Sequence, residues 1–143
     1  MSAPCQNWND LKILLIDSEP DALNQTQEML RDLGFTRIET ANNGSDGLAL
    51  IETFADDDPY DLILCGLEMP VMTGLEMLRQ IRATNPDIPF IMLAVRADYA
   101  SVAEAKELAV TGYIKRPFSM NELRTKIEAA AVIIAQRKSE KRN

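Results

Sequence analysis

Three loops carry charged side chains at the ends of apolar runs: Asp17 in "DSEP", Glu68 in "GLEMPVMTG", and Lys115 with Arg116 in "KRPF". Carboxylates can accept hydrogen bonds or recruit a cation, and a guanidinium can pair with a carboxylate. The chain has no histidine, so His-ligated metal sites and histidine acid–base catalysis are excluded. Its two cysteines, Cys5 and Cys65, show neither metal-ligand spacing nor a disulfide framework. The stretch "LILCGLEMP", residues 62–70, reads as a buried strand entering a loop. Its turning point is Gly66, which has no side chain with which to react.

The elements that must position these loops follow from apolar patterning. "LKILLI" (11–16), "DLILC" and "PFIMLA" (89–94) are short, continuous apolar runs, the mark of strands covered on both faces. "TRIETA" (36–41) and "GYIK" add a second and a fifth strand. Pro20 is placed to begin a helix through Leu23, Gln27, Leu30 and Leu33 that stops at Gly34. A second helix begins near Ser45 with Leu48, Ile51 and Phe54 inward, and a third carries Leu75, Leu78 and Ile81 and ends before Pro86. The fourth spans 98–110, and the fifth starts from Ser119 with Glu122 completing a capping box. Alternating strands and helices imply a parallel α/β sheet with helices on both faces, and ligands in such sheets sit beyond the strands' carboxyl ends.

At 143 residues with 46% hydrophobic and 26% charged residues, one soluble domain is expected. A net charge of −7 argues against a nucleic-acid partner, which needs clustered Lys and Arg. No run reaches membrane-spanning length and the leader lacks a signal-peptide pattern, so a cytoplasmic protein without a membrane partner is expected.

Taken together, "ILLIDSEPDAL", "LILCGLEMPVMTG" and "GYIKRPF" resemble the receiver domain of two-component response regulators, of the chemotaxis-regulator kind. The likeness covers residues 11–135, leaving a polar leader (1–10) and a polar, basic tail (136–143) expected to fray or lead into a linker. It implies a flavodoxin-like, doubly wound, three-layer fold with a five-stranded sheet of order 2-1-3-4-5 and five helices.

In receivers of this kind, an Asp at the third strand's end accepts a phosphoryl group beside Mg²⁺, and a Lys steadies its oxygens. Carried over, the phospho-accepting position is Gly66, and the acid pair is Asp17 and Ser18. The metal would keep only the Asp17 carboxylate and the backbone carbonyl of Glu68, too little for an ion that sheds water reluctantly. The inward-turning Thr or Ser position is Ala94, the Lys position is Arg116, and the switch aromatic is Tyr113. The resemblance therefore implies a degenerate, non-enzymatic pseudo-receiver with no cofactor and with Mg²⁺ binding lost or weak.

Asp17 and Arg116 are expected to form an ion pair in place of the metal. Glu68 is expected to be a solvated loop carboxylate, the alternative being a built-in anion that imitates a phosphorylated Asp. Cys65 is expected to be a small buried hydrophobe rather than a redox sensor. Asp61 lies at the wrong end of its strand to replace the acceptor, Met69 and Pro70 shape the loop, and the resemblance suggests a cis Arg116-Pro117 bond. In the last helix Leu123, Ile127, Ala131 and Ile134 form one stripe, with Val132 nearly opposite. The expected interaction face is 98–135, with Tyr99, Tyr113, Val132 and Ile133, meeting a sensor kinase, an output protein or a second copy in a homodimer. The favoured reading is phosphorylation-independent signalling by protein contact. The alternatives are a phospho-acceptor using another residue and a small-molecule or nucleotide binder in the vacated pocket.

Overall fold

Because every residue of β1 (Lys12–Ile16), β3 (Leu62–Gly66) and β4 (Phe90–Ala94) is buried, these strands occupy the middle of the sheet. The remaining strands are β2 (Arg37–Ala41) and β5 (Gly112–Lys115). In this computed structural model, which describes residues 8–96 and 98–142, the side chains of 138–142 excepted, the strands pair in parallel in the order β2-β1-β3-β4-β5. Cys5 lies outside the described residues. The helices are α1 (Pro20–Asp32), α2 (Gly44–Thr53), α3 (Gly74–Thr84), α4 (Tyr99–Glu107) and α5 (Met120–Arg142). This is the flavodoxin-like doubly wound arrangement expected from the sequence.

The two-residue period of each strand divides the core. Leu14 and Ile16 of β1 face Met77, Leu78 and Ile81 of α3, whereas Ile13 and Leu15 face Leu30 of α1 and Leu123 and Ile127 of α5. The inward stripe of α5 differs from expectation by one residue. Ala130, fully buried, replaces Ala131, which packs only at the cluster's margin. Likewise Thr26 rather than Gln27 is buried in α1.

Some helix ends follow local rules and others do not. Ser119 and Glu122 make the reciprocal capping pair that starts α5, with N···O distances of 2.9 and 3.1 Å. The second helix is capped by Asn43, whose side chain accepts the Asp46 N–H, so it begins one residue before Ser45. The fourth helix stops at Glu107, short of the expected 110. Ala109 turns to φ +58°, and Arg82 of α3 takes the freed carbonyls of Leu108 and Ala109 at 2.8 and 3.0 Å. Helix α5 continues to Arg142, so the tail from 136 on, expected to fray or lead into a linker, prolongs the helix.

At the amino edge of the sheet, Lys12 is 4% exposed. Its ammonium donates to the Asp58 carbonyl at 2.6 Å and lies over the rings of Phe54 and Tyr60 at 3.8 and 4.5 Å. This stitches the acidic 55–59 loop to β1 and holds the strand ends in place. No helix among the described residues is long and apolar enough to cross a membrane.

Candidate functional site

Parallel register places the carboxyl ends of the central strands side by side: Ile16 opposite Cys65, Gly66 opposite Leu93, and Ala94 opposite Lys115. The loops that follow rise from one edge and enclose a crevice of about 470 Å³, lined by Asp17, Ser18, Gly66, Glu68, Val95 and Arg116 among others. Of the residues that the resemblance gathered from different loops, the fold brings Asp17, Ser18, Gly66, Glu68 and Arg116 together here.

Asp17 is only 4% exposed. Its carboxylate accepts the Glu19 N–H at 3.0 Å and pairs with the guanidinium of Arg116, whose side chain is 17% exposed. The Arg116 backbone N–H donates to the Ala94 carbonyl at 2.7 Å, which aims the residue across the crevice. The Arg116-Pro117 bond is cis. The one buried carboxylate of the crevice is thus already neutralised by a fixed cation, as the sequence suggested.

Gly66 closes β3 with no side chain, and a β-carbon there would meet the Asp17 carboxyl carbon at 3.4 Å and nothing nearer. The fold therefore does not demand glycine at this position. Gly74, by contrast, starts α3 where a β-carbon would lie 2.5 Å from the Gly66 carbonyl oxygen and 2.7 Å from the Met92 sulfur. Sequence reasoning passed over Gly74, yet Thr73 and Glu76 form a capping box around it, the same spacing that identified Ser119 and Glu122.

Glu68 departs from expectation. It is exposed, but it is not merely solvated: Oε1 accepts the Val95 N–H and Oε2 the Arg96 N–H, each at 3.0 Å. The reason is tertiary, since the β3–α3 loop carrying Glu68 runs beside the amides that follow β4. Ala94, fully buried at the end of β4, has no hydroxyl to offer the crevice. Tyr113 of β5 is half-buried and its hydroxyl donates to the Arg96 carbonyl at 3.4 Å. Burial, and next the charges of Glu68 and Asp98, hold that phenol above its ordinary pKa.

Cys65 is fully buried with Sγ 3.7 Å from the Met77 sulfur. Burial, and then the Asp17 charge, push its thiol well up, so it packs as a hydrophobe. Asp61 sits at the opposite edge, accepting the Lys12 N–H at 2.9 Å. Met69 is buried in the loop, and the adjoining Val71 is held at φ +69° with its side chain fully exposed. On the outer face, Tyr99 is 90% and Val132 58% exposed, whereas Ile133 and Tyr113 are partly covered. Among the described residues no group of three or more His, Cys, Asp or Glu side chains is placed to hold a metal ion.

Residues 13–128 match the family described as response regulator receiver domain. Chemotaxis protein CheY of Pseudomonas aeruginosa is 32% identical over 120 residues, 82% of this chain and 94% of that protein. The crystal structure of a CheY-like receiver domain protein from Methanospirillum hungatei superposes with a TM-score of 0.78 at 25% identity, covering 91% of this chain and 98% of that one. A CheX–CheY–BeF3–Mg complex from Borrelia burgdorferi shares the fold with a TM-score of 0.75 at 18% identity, covering 82% and 86%. The chain belongs to the response regulator receiver domain family.

Proposed function

We propose that this domain is a pseudo-receiver: a two-component signalling module that is not phosphorylated at the usual position and acts through protein contact. The observation that carries this reading is the paired state of the crevice. Position 66 projects no carboxylate, and the carboxylate beside it, Asp17, is bound by Arg116. A phosphoryl acceptor needs an oxygen nucleophile facing the donor, with cations free to offset the incoming charge. Here the nearest cation is already spent on an internal anion.

The donor set also does not fit Mg²⁺. That ion asks for near-octahedral oxygen ligation, usually with one or two carboxylates and phosphate oxygens. Asp17 faces a guanidinium, Ser18 offers a neutral hydroxyl, and both carboxylate oxygens of Glu68 are turned to backbone amides. Incubation with acetyl phosphate and Mg²⁺, followed by intact-mass measurement, is expected to leave the mass unchanged. A gain of one phosphoryl group that disappears on replacing a single Asp overturns the reading.

Output on this reading passes through the face of α4, β5 and α5, which meets a sensor kinase, an output protein or a second copy. The exposed Tyr99 and Val132 support this choice, and the Borrelia relative is named in complex with a protein, CheX. Tyr113→Ala combined with Val132→Asp is expected to lower partner recovery in a pull-down at least several-fold, because apolar contact area and an aromatic anchor are lost together. Unchanged recovery removes this face from consideration.

A further inference from the structure

We propose that Glu68 and Tyr113 form an internal latch on residues 95 and 96, so that one arrangement of α4 and its neighbouring face is held without any added anion. The proposal rests on reading the domain as independent of phosphorylation, and it supplies what fixes the conformation in that case.

Two consecutive backbone N–H groups after a strand make an anion-accepting pair. At the end of β4 that pair is filled by a carboxylate from the same chain, one oxygen on each N–H. The carboxylate is presented from a fixed base: the neighbouring Leu67 donates its N–H to the Leu93 carbonyl at 2.8 Å, and its own carbonyl accepts the Gly74 N–H at 2.9 Å. Hydrogen bonds to an ionised acceptor are the stronger kind, and two of them also define a direction.

Tyr113 completes the hold from the other side. Its ring packs against the core cluster, and its hydroxyl donates to the Arg96 carbonyl. Arg96 is therefore held at its N–H by the β3–α3 loop at 3.0 Å and, more weakly, at its C=O by β5 at 3.4 Å. Two residues on, Asp98 caps α4 by accepting the Ser101 N–H at 2.8 Å. The helix is tied again at its middle by the Arg79–Glu104 ion pair and at its end by Arg82. A latch at 95–96 thus sets the helix start, and the other two contacts carry that position along its length.

Amide hydrogen exchange on the full chain tests this, comparing the parent with Glu68→Ala, Glu68→Gln and Tyr113→Phe. Glu68→Ala is expected to speed exchange at Val95 and Arg96 about tenfold or more, with a smaller rise in the first turn of α4. Glu68→Gln, which keeps the shape but not the charge, falls between, and Tyr113→Phe loosens residue 96 less. Sodium acetate at high concentration is expected to slow exchange of these two amides in Glu68→Ala and leave the parent unchanged. Exchange within about twofold of the parent in both Glu68 variants, or no response to acetate in Glu68→Ala, overturns the latch. Glu128→Ala on the outer side of α5 serves as the control for general loosening. Since phosphoryl uptake is read by mass and the latch by exchange, failure of the latch is distinguishable from failure of the reading on which it rests.

Discussion

Arg116→Ala is expected to destabilise the domain by about 2–3 kcal/mol, and so to lower its melting temperature by roughly 6–12 °C. The cause is the charge left behind. Asp17 is 4% exposed and its carboxylate retains only the Glu19 N–H once the guanidinium is gone. Removing one member of a buried ion pair costs about 3–5 kcal/mol in fully enclosed sites. The lower figure applies because Arg116 borders an open crevice, which lets water approach the abandoned carboxylate. The double variant Asp17→Asn with Arg116→Ala is expected to recover most of the loss, since it removes the charge and keeps the shape. Arg116 also lies 5.9 Å from the Phe118 ring, and a loss caused by that packing would not be recovered by Asn. Thermal melts of the two variants beside the parent therefore decide the matter. A single variant that melts with the parent, or a double variant no better than the single, shows that the pair is not what steadies the crevice.

The second large effect contrasts two glycines. Gly74→Ala is expected to cost about 3 kcal/mol or more, read by urea unfolding. Its β-carbon would press on the Gly66 carbonyl oxygen at 2.5 Å and the Leu67 Cα at 3.0 Å, and backbone atoms cannot turn aside as a side chain can. Relief requires α3 to move away from β3, which breaks the Gly74 N–H bond to Leu67. Gly66→Ala meets only the Asp17 carboxyl group, at 3.4–3.5 Å, and is expected to change stability by less than about 1 kcal/mol. This contrast bears on function. Equal costs at the two positions would make glycine at 66 a packing necessity, and the missing carboxylate a by-product of it. A mild effect at 66 means that the scaffold tolerates a side chain there, and that the crevice lacks a nucleophile by residue choice alone.

Much of the fold was legible because its signals are local. Three uninterrupted apolar runs gave the central strands, since a strand covered on both faces needs no polar alternation. Pro20 and the Ser119 and Glu122 pair gave helix starts, because a cap is a contact among near neighbours. The site residues Asp17, Gly66, Ala94 and Arg116 were named through the resemblance to receiver domains, and they meet because a parallel sheet lines its strand ends up along one edge. Opposite charges facing each other there left an ion pair as the low-energy outcome.

What escaped the sequence depends on contacts between distant segments. The early stop of α4 is set by Arg82, some 26 residues away, taking the carbonyls of Leu108 and Ala109. Lys12 passed without remark inside the apolar run 11–16, yet it is enclosed by Phe54, Tyr60 and Asp58, more than 40 residues away in the chain. Glu68 reads as a solvated acid, because a loop carboxylate has many rotamers and water as the default partner. Only the approach of the β4–α4 backbone, 27 residues on in the chain, supplies two amides that outcompete water for it. Composition and periodicity decide which segments are buried and which way they run. Which charged side chain finds which backbone group is settled only when the sheet closes and brings its loops to one edge.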